Sequence, residues 1–162
     1  MATFTKINDF ILNLPHGEFL FANAGGNQLE LALTNTAPVS ETSDPTDTGN
    51  GILANLTELA GPYTNYSDDL AVDRNLTKAN ITSAISGAAG AAVWKLDYTA
   101  DIIITASGGA MGTFRYIYLW DDDSTTPTDS LIGVWDHGSG ITLASTETAT
   151  LAWNASGILT LT

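Results

Sequence analysis

Cysteine is absent from the 162-residue chain. That excludes a disulfide framework, thiolate catalysis, iron–sulfur clusters and cysteine-ligated zinc. Only two histidines are present, too few for a histidine-rich metal centre, so neither a metal nor a cofactor is expected. Cations are scarce as well: five Lys and Arg stand against 18 Asp and Glu, a formal net charge of -13. Phosphate backbones and anionic headgroups are held by clustered Lys or Arg. Here the basic residues are scattered, so neither nucleic acid nor a membrane surface is an expected partner. No stretch approaches the ~18 uninterrupted apolar residues of a membrane span. The opening Met1 to Lys6 has no apolar run followed by a small-residue cleavage site, so no secretory signal is expected and synthesis in a cytoplasm is.

What remains is a polar, weakly charged chain with abundant Ser and Thr, which suits β-structure with hydroxyl-covered outer faces. A chain of this mass buries roughly 69% of its extended surface, enough for one sizeable core. Residues 1–162 are therefore read as a single domain, with an N-terminal helix or arm over 1–28, a long exposed loop over 36–51 and a β-rich core over 81–162. Phe4, Ile7, Phe10, Ile11 and Leu14 recur at spacings of three and four, which predicts a short helix over 4–14 ended by Pro15-His16-Gly17. Leu29, Leu31 and Leu33 alternate with Glu30, Ala32 and Thr34, the pattern of a half-buried strand with Glu30 toward solvent. Thr36 to Gly51 combines proline, glycine, acid and hydroxyl residues and reads as an exposed loop. Leu53, Leu56, Leu59 and Ala60 fit one helical turn, and Tyr63 to Lys78 reads as irregular.

From Ile81 the pattern is that of strands: around Ile81 to Ile85, Val93 to Tyr98, Ile102 to Thr105, Met111 to Trp120, Leu131 to Trp135, Thr148 to Trp153 and Ile158 to Leu161. Met111 to Trp120 is apolar on nearly both faces and is expected to be central. Asp121 to Asp129 is expected to form a solvated hairpin loop, and Asp136 to Gly140 a turn. Short strands with turn signals about every ten residues predict a mainly β fold, a sandwich or barrel.

Five stretches then carry a resemblance: Phe4 to Phe10 (FTKINDF), Leu31 to Pro38 (LALTNTAP), Gly112 to Tyr118 (GTFRYIY), Leu131 to Ser139 (LIGVWDHGS) and Asn154 to Leu161 (NASGILTL). Together they resemble a family of small structural proteins encoded in tailed-bacteriophage genomes. The resemblance implies a virion component, most closely a capsid decoration or cement protein: a jelly-roll-like antiparallel β-sandwich, trimeric, bound to the major capsid protein on the outside of the head. The alternatives are a tail-tube, head–tail junction or fibre-tip position, the last with carbohydrate or receptor binding.

No residue pattern compels catalysis, and no enzyme is expected. Asp121, Asp122, Asp123 and Asp129 offer oxygens to Ca²⁺ but lack the EF-hand spacing. Asp136, His137 and Ser139 are the residue types of a hydrolase triad, but neighbours on an extended segment point to opposite faces. Glu30 and Glu147, a generic carboxylate supply, are expected to face solvent. Trp94, Trp120, Trp135 and Trp153 either fill the core and subunit contacts or line a sugar-binding face. Asn-X-Ser/Thr triplets at Asn55, Asn65, Asn75, Asn80 and Asn154 carry no weight in a Thr-rich chain. The candidate assembly contacts are Phe4, Ile7 and Phe10, read either as a docking arm or as an ordinary core helix, with the loop from Thr36 to Gly51. Arg115 joins them, pairing with an acid of another subunit or of its own.

Overall fold

The computed structural model describes residues 4–16, 29–38, 51–59, 81–86, 92–125, 128–154 and 157–161. Within them the fold is mainly β, with several antiparallel sheets and one short helix near the N-terminus. Strand β1 is Phe4–Lys6 and helix α1 is Asn8–Asn13, followed by a 3-10 turn over Leu14–His16. Strand β2 is Leu29–Thr34, and a second 3-10 turn covers Leu53–Asn55. The later strands are β3 Ile81–Ser86, β4 Val93–Tyr98, β5 Ile102–Thr105, β6 Met111–Thr125, β7 Thr128–Leu143, β8 Thr148–Leu151 and β9 Leu159–Leu161. They form sheets of order β1-β7-β6-β2, β3-β4-β9 and β5-β8.

The long hairpin of β6 and β7 is the spine. As the two-faced apolar pattern predicts, β6 lies inside its sheet, between β7 and β2. Phe114, Tyr116 and Tyr118 are buried on one face, and Leu119 is buried on the other. Four expectations need correction here. The helix over 4–14 begins only at Asn8, because Phe4 to Lys6 add to the edge of β7, with Phe4 opposite Trp135 and Lys6 opposite Gly133. Asp121 to Thr125 remain in β6, and Asp121 is wholly buried rather than part of a solvated loop. The Ser124 hydroxyl explains that continuity: it donates to the Asp121 carbonyl at 2.8 Å and accepts from the Ser130 amide at 2.7 Å across the hairpin.

Asp136 to Gly140 likewise stay in β7 rather than turning. They form a wide bulge: Tyr116 pairs with Asp136 and Phe114 with Ile141, so Arg115 alone is set against four residues, His137 to Gly140. Finally, β2 is buried along its whole length, Glu30 included at 0% exposure. The alternation reading assumed one wet face, and this strand has none.

One hydrophobic cluster gathers Ile7 and Phe10 with Leu31, Leu96, Tyr118, Trp120 and Ile132; a second gathers Leu33, Ile104, Met111, Phe114 and Leu143. Each fully buried side chain of this size contributes about 1.5–3 kcal/mol. The helical turn expected over Leu53 to Ala60 is confined to Leu53–Asn55: Leu56 is extended and Glu58 bridges to Thr34, while Ala60 lies outside the described residues. Of the 36–51 loop, only Thr36 to Pro38 and Gly51 are described: the former are largely exposed and Gly51 is buried. The irregular stretch from Tyr63 to Lys78 lies outside the described residues.

Candidate functional site

The N-terminal residues set one boundary of the site. Ile7 and Phe10 are buried at 3% and 0% exposure, and the Ile7 amide donates to the Ile132 carbonyl at 3.0 Å. Both belong to the first hydrophobic cluster. Phe4 is half-buried, its ring lying over Gly133 and 4.6 Å from the Trp135 ring. A Cβ on Gly133 would sit 2.1 Å from Phe4 Cζ, so only glycine leaves room for this approach. An isolated glycine inside an apolar strand is the sequence signal for close packing of this kind.

Trp135 lines a groove of about 530 Å³. Trp153, which follows β8, lines the same groove. The two indoles are 5.4 Å apart and tilted by 58°. Trp153 is pinned from behind by its Nε1–H, which donates to the Ala100 carbonyl at 2.7 Å, and by an edge-on contact with Tyr98 at 5.7 Å. Ile117, Ile141 and Leu151 also line it, as do the polar residues His137, Thr150 and Thr160. Gly157 is also in the lining, with φ +92°, a conformation where a Cβ would strike Lys95 and the Leu96 carbonyl. Among the described residues that line this groove there is no Asp, Glu, Lys or Arg. Sequence spacing gives no sign that Trp135 and Trp153 converge, since Trp135 lies in β7 and Trp153 follows β8, strands of different sheets. Trp120, by contrast, is wholly buried, and Trp94 packs at the margin of the first core cluster.

Arg115 is engaged within its own chain. Its Nε and terminal guanidinium nitrogen donate to the two carboxylate oxygens of Asp136 at 2.7 and 2.8 Å. The guanidinium also lies 5.0 Å from the Tyr116 ring centre. The Gly138 amide adds a third bond to Asp136 at 2.7 Å. Hydrogen bonds from Arg115 first, and from Gly138 second, hold the Asp136 carboxyl at about 2, below its ordinary 3.8. The same hydrogen bond raises the pKa of Arg115. This clamp fixes the bulge beside the groove.

The three triad residue types do not assemble into a relay. Both Asp136 oxygens are taken by Arg115, and His137 Nδ1 donates to the Ser139 carbonyl at 3.0 Å. The Ser139 hydroxyl reaches that same nitrogen at 3.5 Å, so no imidazole nitrogen bridges serine and carboxylate. Glu147 is exposed as expected, but it lies in the turn before β8, where its carboxylate accepts from the Ala144 amide at 2.7 Å. Among the described residues, no group of three or more His, Asp or Glu is placed to hold a metal ion. No described helix is long and apolar enough to cross a membrane.

No protein-family model, no curated protein and no solved structure matches the chain.

Proposed function

We propose that this chain is a non-enzymatic virion structural protein, a capsid decoration protein that binds the outer surface of a tailed-phage head and reinforces it. It is made in the host cytoplasm, assembles as a homotrimer and adheres to the major capsid protein. In this reading the three sheets close into a jelly-roll-like sandwich. The resemblance of the five stretches supports it, as does the charge of -13, which suits an outward position away from packaged DNA.

The observation that carries the proposal is the seating of β1. This strand of three residues lies at the edge of its sheet, with Thr5 and Lys6 exposed, and is held by its pairing with Gly133 to Trp135 and by the Phe4 ring in the Gly133 notch. In this reading so short an edge strand exchanges between subunits, and Phe4 of one fills the Gly133 notch of the next. Linking subunits in this way multiplies weak contacts through effective concentration. Each durable interface on the shell then buries about 1,600 Å². Arg115, half-exposed beside the groove, completes the assembly surface.

Counting copies in purified particles tests the reading. Hundreds of copies per particle, released when shells are stripped and rebound on adding the purified protein, are the expected result. A dozen or fewer would move the protein to a head–tail junction or tail, and no copies at all would remove it from the virion.

A further inference from the structure

We propose that the outer edge of β7 is closed by a composite strand of two pieces distant in sequence, Phe4–Ile7 and Gly51–Ile52, which Asp9 latches into one unit that opens and closes together. The inference concerns a device within the single chain and stands whether or not subunits exchange β1.

The partners of β7 on the side away from β6 reveal the two pieces. Trp135, Val134 and Gly133 pair with Phe4, Thr5 and Lys6, and the Ile132 carbonyl accepts from the Ile7 amide at 3.0 Å. There the chain leaves the edge to enter α1. The next position is taken by a different segment: the Leu131 amide donates to the Gly51 carbonyl at 2.8 Å, and Ile52, extended at φ -125° and ψ 152°, bridges Ser130. Both pieces run antiparallel to β7, so they continue one line of extended chain with a break between Ile7 and Gly51. The break falls at a bulge. Leu119 pairs with Gly133 and Trp120 with Leu131, which leaves Ile132 as an extra residue and lets both Leu131 and Ile132 turn a polar group outward.

Asp9 spans the break. It lies in the first turn of α1, and its Oδ2 accepts from the Gly51 amide at 3.1 Å, with both residues buried. A Cβ on Gly51 would sit 2.5 Å from that oxygen, so glycine is what lets the second piece approach the helix. Each piece is shorter than the about five to six residues of an ordinary strand and holds weakly alone. Lifting Ile7 shifts the first turn of α1 and the Asp9 carboxylate with it, which takes a buried acceptor from the Gly51 amide. Opening then uncovers β7 from Ser130 to Trp135, an unpaired edge to which another strand can add. The latch sets how often that edge is available.

Native-state hydrogen exchange on the full chain tests the latch. The Ile7, Gly51 and Leu131 amides should share one opening free energy and one urea dependence, and all three should exchange faster than the Ile117 to Leu119 amides of β6. Phe4→Ala loosens only the far end of the first piece. It should nonetheless speed exchange at Gly51 and Leu131 about tenfold, the worth of a half-buried phenylalanine. In an Asp9→Ala background the same substitution should change those two rates by less than about twofold. Asp9→Asn keeps a carbonyl acceptor for the Gly51 amide and should preserve the response. The Phe4→Ala comparison needs no Asp9 variant, so it decides alone should Asp9→Ala not fold. Three results would each overturn the proposal: Phe4→Ala leaves Gly51 and Leu131 at wild-type rates; its effect is undiminished without the Asp9 carboxylate; or the three amides exchange only together with those of β6, in global unfolding.

Discussion

Replacing Gly133 by alanine probes the contact on which the N-terminal strand depends. The new Cβ would lie 2.1, 2.4 and 2.9 Å from three carbons of the Phe4 ring. Carbon atoms rest at about 3.5–4.0 Å, so the ring must retreat by about 1.5 Å. It cannot slide toward Trp135, whose ring centre is already 4.6 Å away. Overpacking of this kind costs about 1–3 kcal/mol. The ceiling is set by β1 peeling off altogether, which forfeits part of the roughly 1.5–3 kcal/mol of a buried phenylalanine. A loss of about 2 kcal/mol is expected, or about 4–8 °C in Tm for a chain of this length. The assay is urea unfolding followed by tryptophan emission, run as a double-mutant cycle with Phe4→Ala. With the ring gone the added methyl has space, so Gly133→Ala should cost less than about 0.5 kcal/mol in that background. An equal cost in both backgrounds would refute the notch, because the penalty would then come from some other neighbour.

Removing the clamp should be visible in acid. Asp136 has a depressed folded pKa, so its contribution to stability is complete above about pH 4 and is lost as pH falls toward 2. In Arg115→Gln the Asp136 carboxyl, followed by NMR, should titrate closer to 3.8, and stability should fall less steeply across that window. Asp9, buried at 6% exposure, accepts from the Gly51 amide at 3.1 Å, and Asp9→Ala should cost about 1–3 kcal/mol and speed hydrogen exchange at the Gly51 amide. Phe10→Ala should cost about 3–5 kcal/mol in urea unfolding, and deletion of residues 1–14, which removes both Ile7 and Phe10 from the core, should abolish the cooperative transition.

The strands from Val93 onward were legible because alternation and turn residues mark each one locally. The inner position of β6 was legible for a related reason, since large apolar groups on both faces of Met111 to Trp120 leave no face for water. The same logic failed at β2, where Glu30, Ala32 and Thr34 look like a wet face and are all buried. What covers a strand is decided by distant chain, which no local pattern encodes. The 4–14 segment failed differently. A spacing of three and four accommodates Phe4, but its register with Trp135 places it in a sheet, and Ile11, counted on the apolar face, is 46% exposed. The sequence of the bulge at Asp136 to Gly140 reads equally as a turn, because glycines and polar residues signal both. Only the pairing of Arg115 with Asp136 across the hairpin distinguishes them. Of the candidate site, the sequence marked the tryptophans as alternatives between core and ligand face. Their division, Trp120 inside and Trp135 and Trp153 at the groove, required the tertiary fold.

The groove follows from how one strand is partnered along its length. From Leu131 to Val134, β7 pairs with β6 and every residue is buried, and on its other side β1 lies along Gly133 to Trp135. The described ladder with β1 ends where Phe4 meets Trp135, and from Asp136 to Gly140 the bulge carries β7 away from close register with β6. Trp135 sits at that transition, with neighbours enough to hold its ring and not enough to cover it. Trp153 is placed opposite because β8 pairs with β5 and not with the main sheet, so the chain leaving β8 passes in front of β7 without joining it. A longer β1 ladder or a tighter pairing at Arg115 would bury Trp135 and close the groove. The bulge clamp and the short described ladder of β1 are therefore the features that leave Trp135 and Trp153 half-buried at the margin of the first hydrophobic cluster.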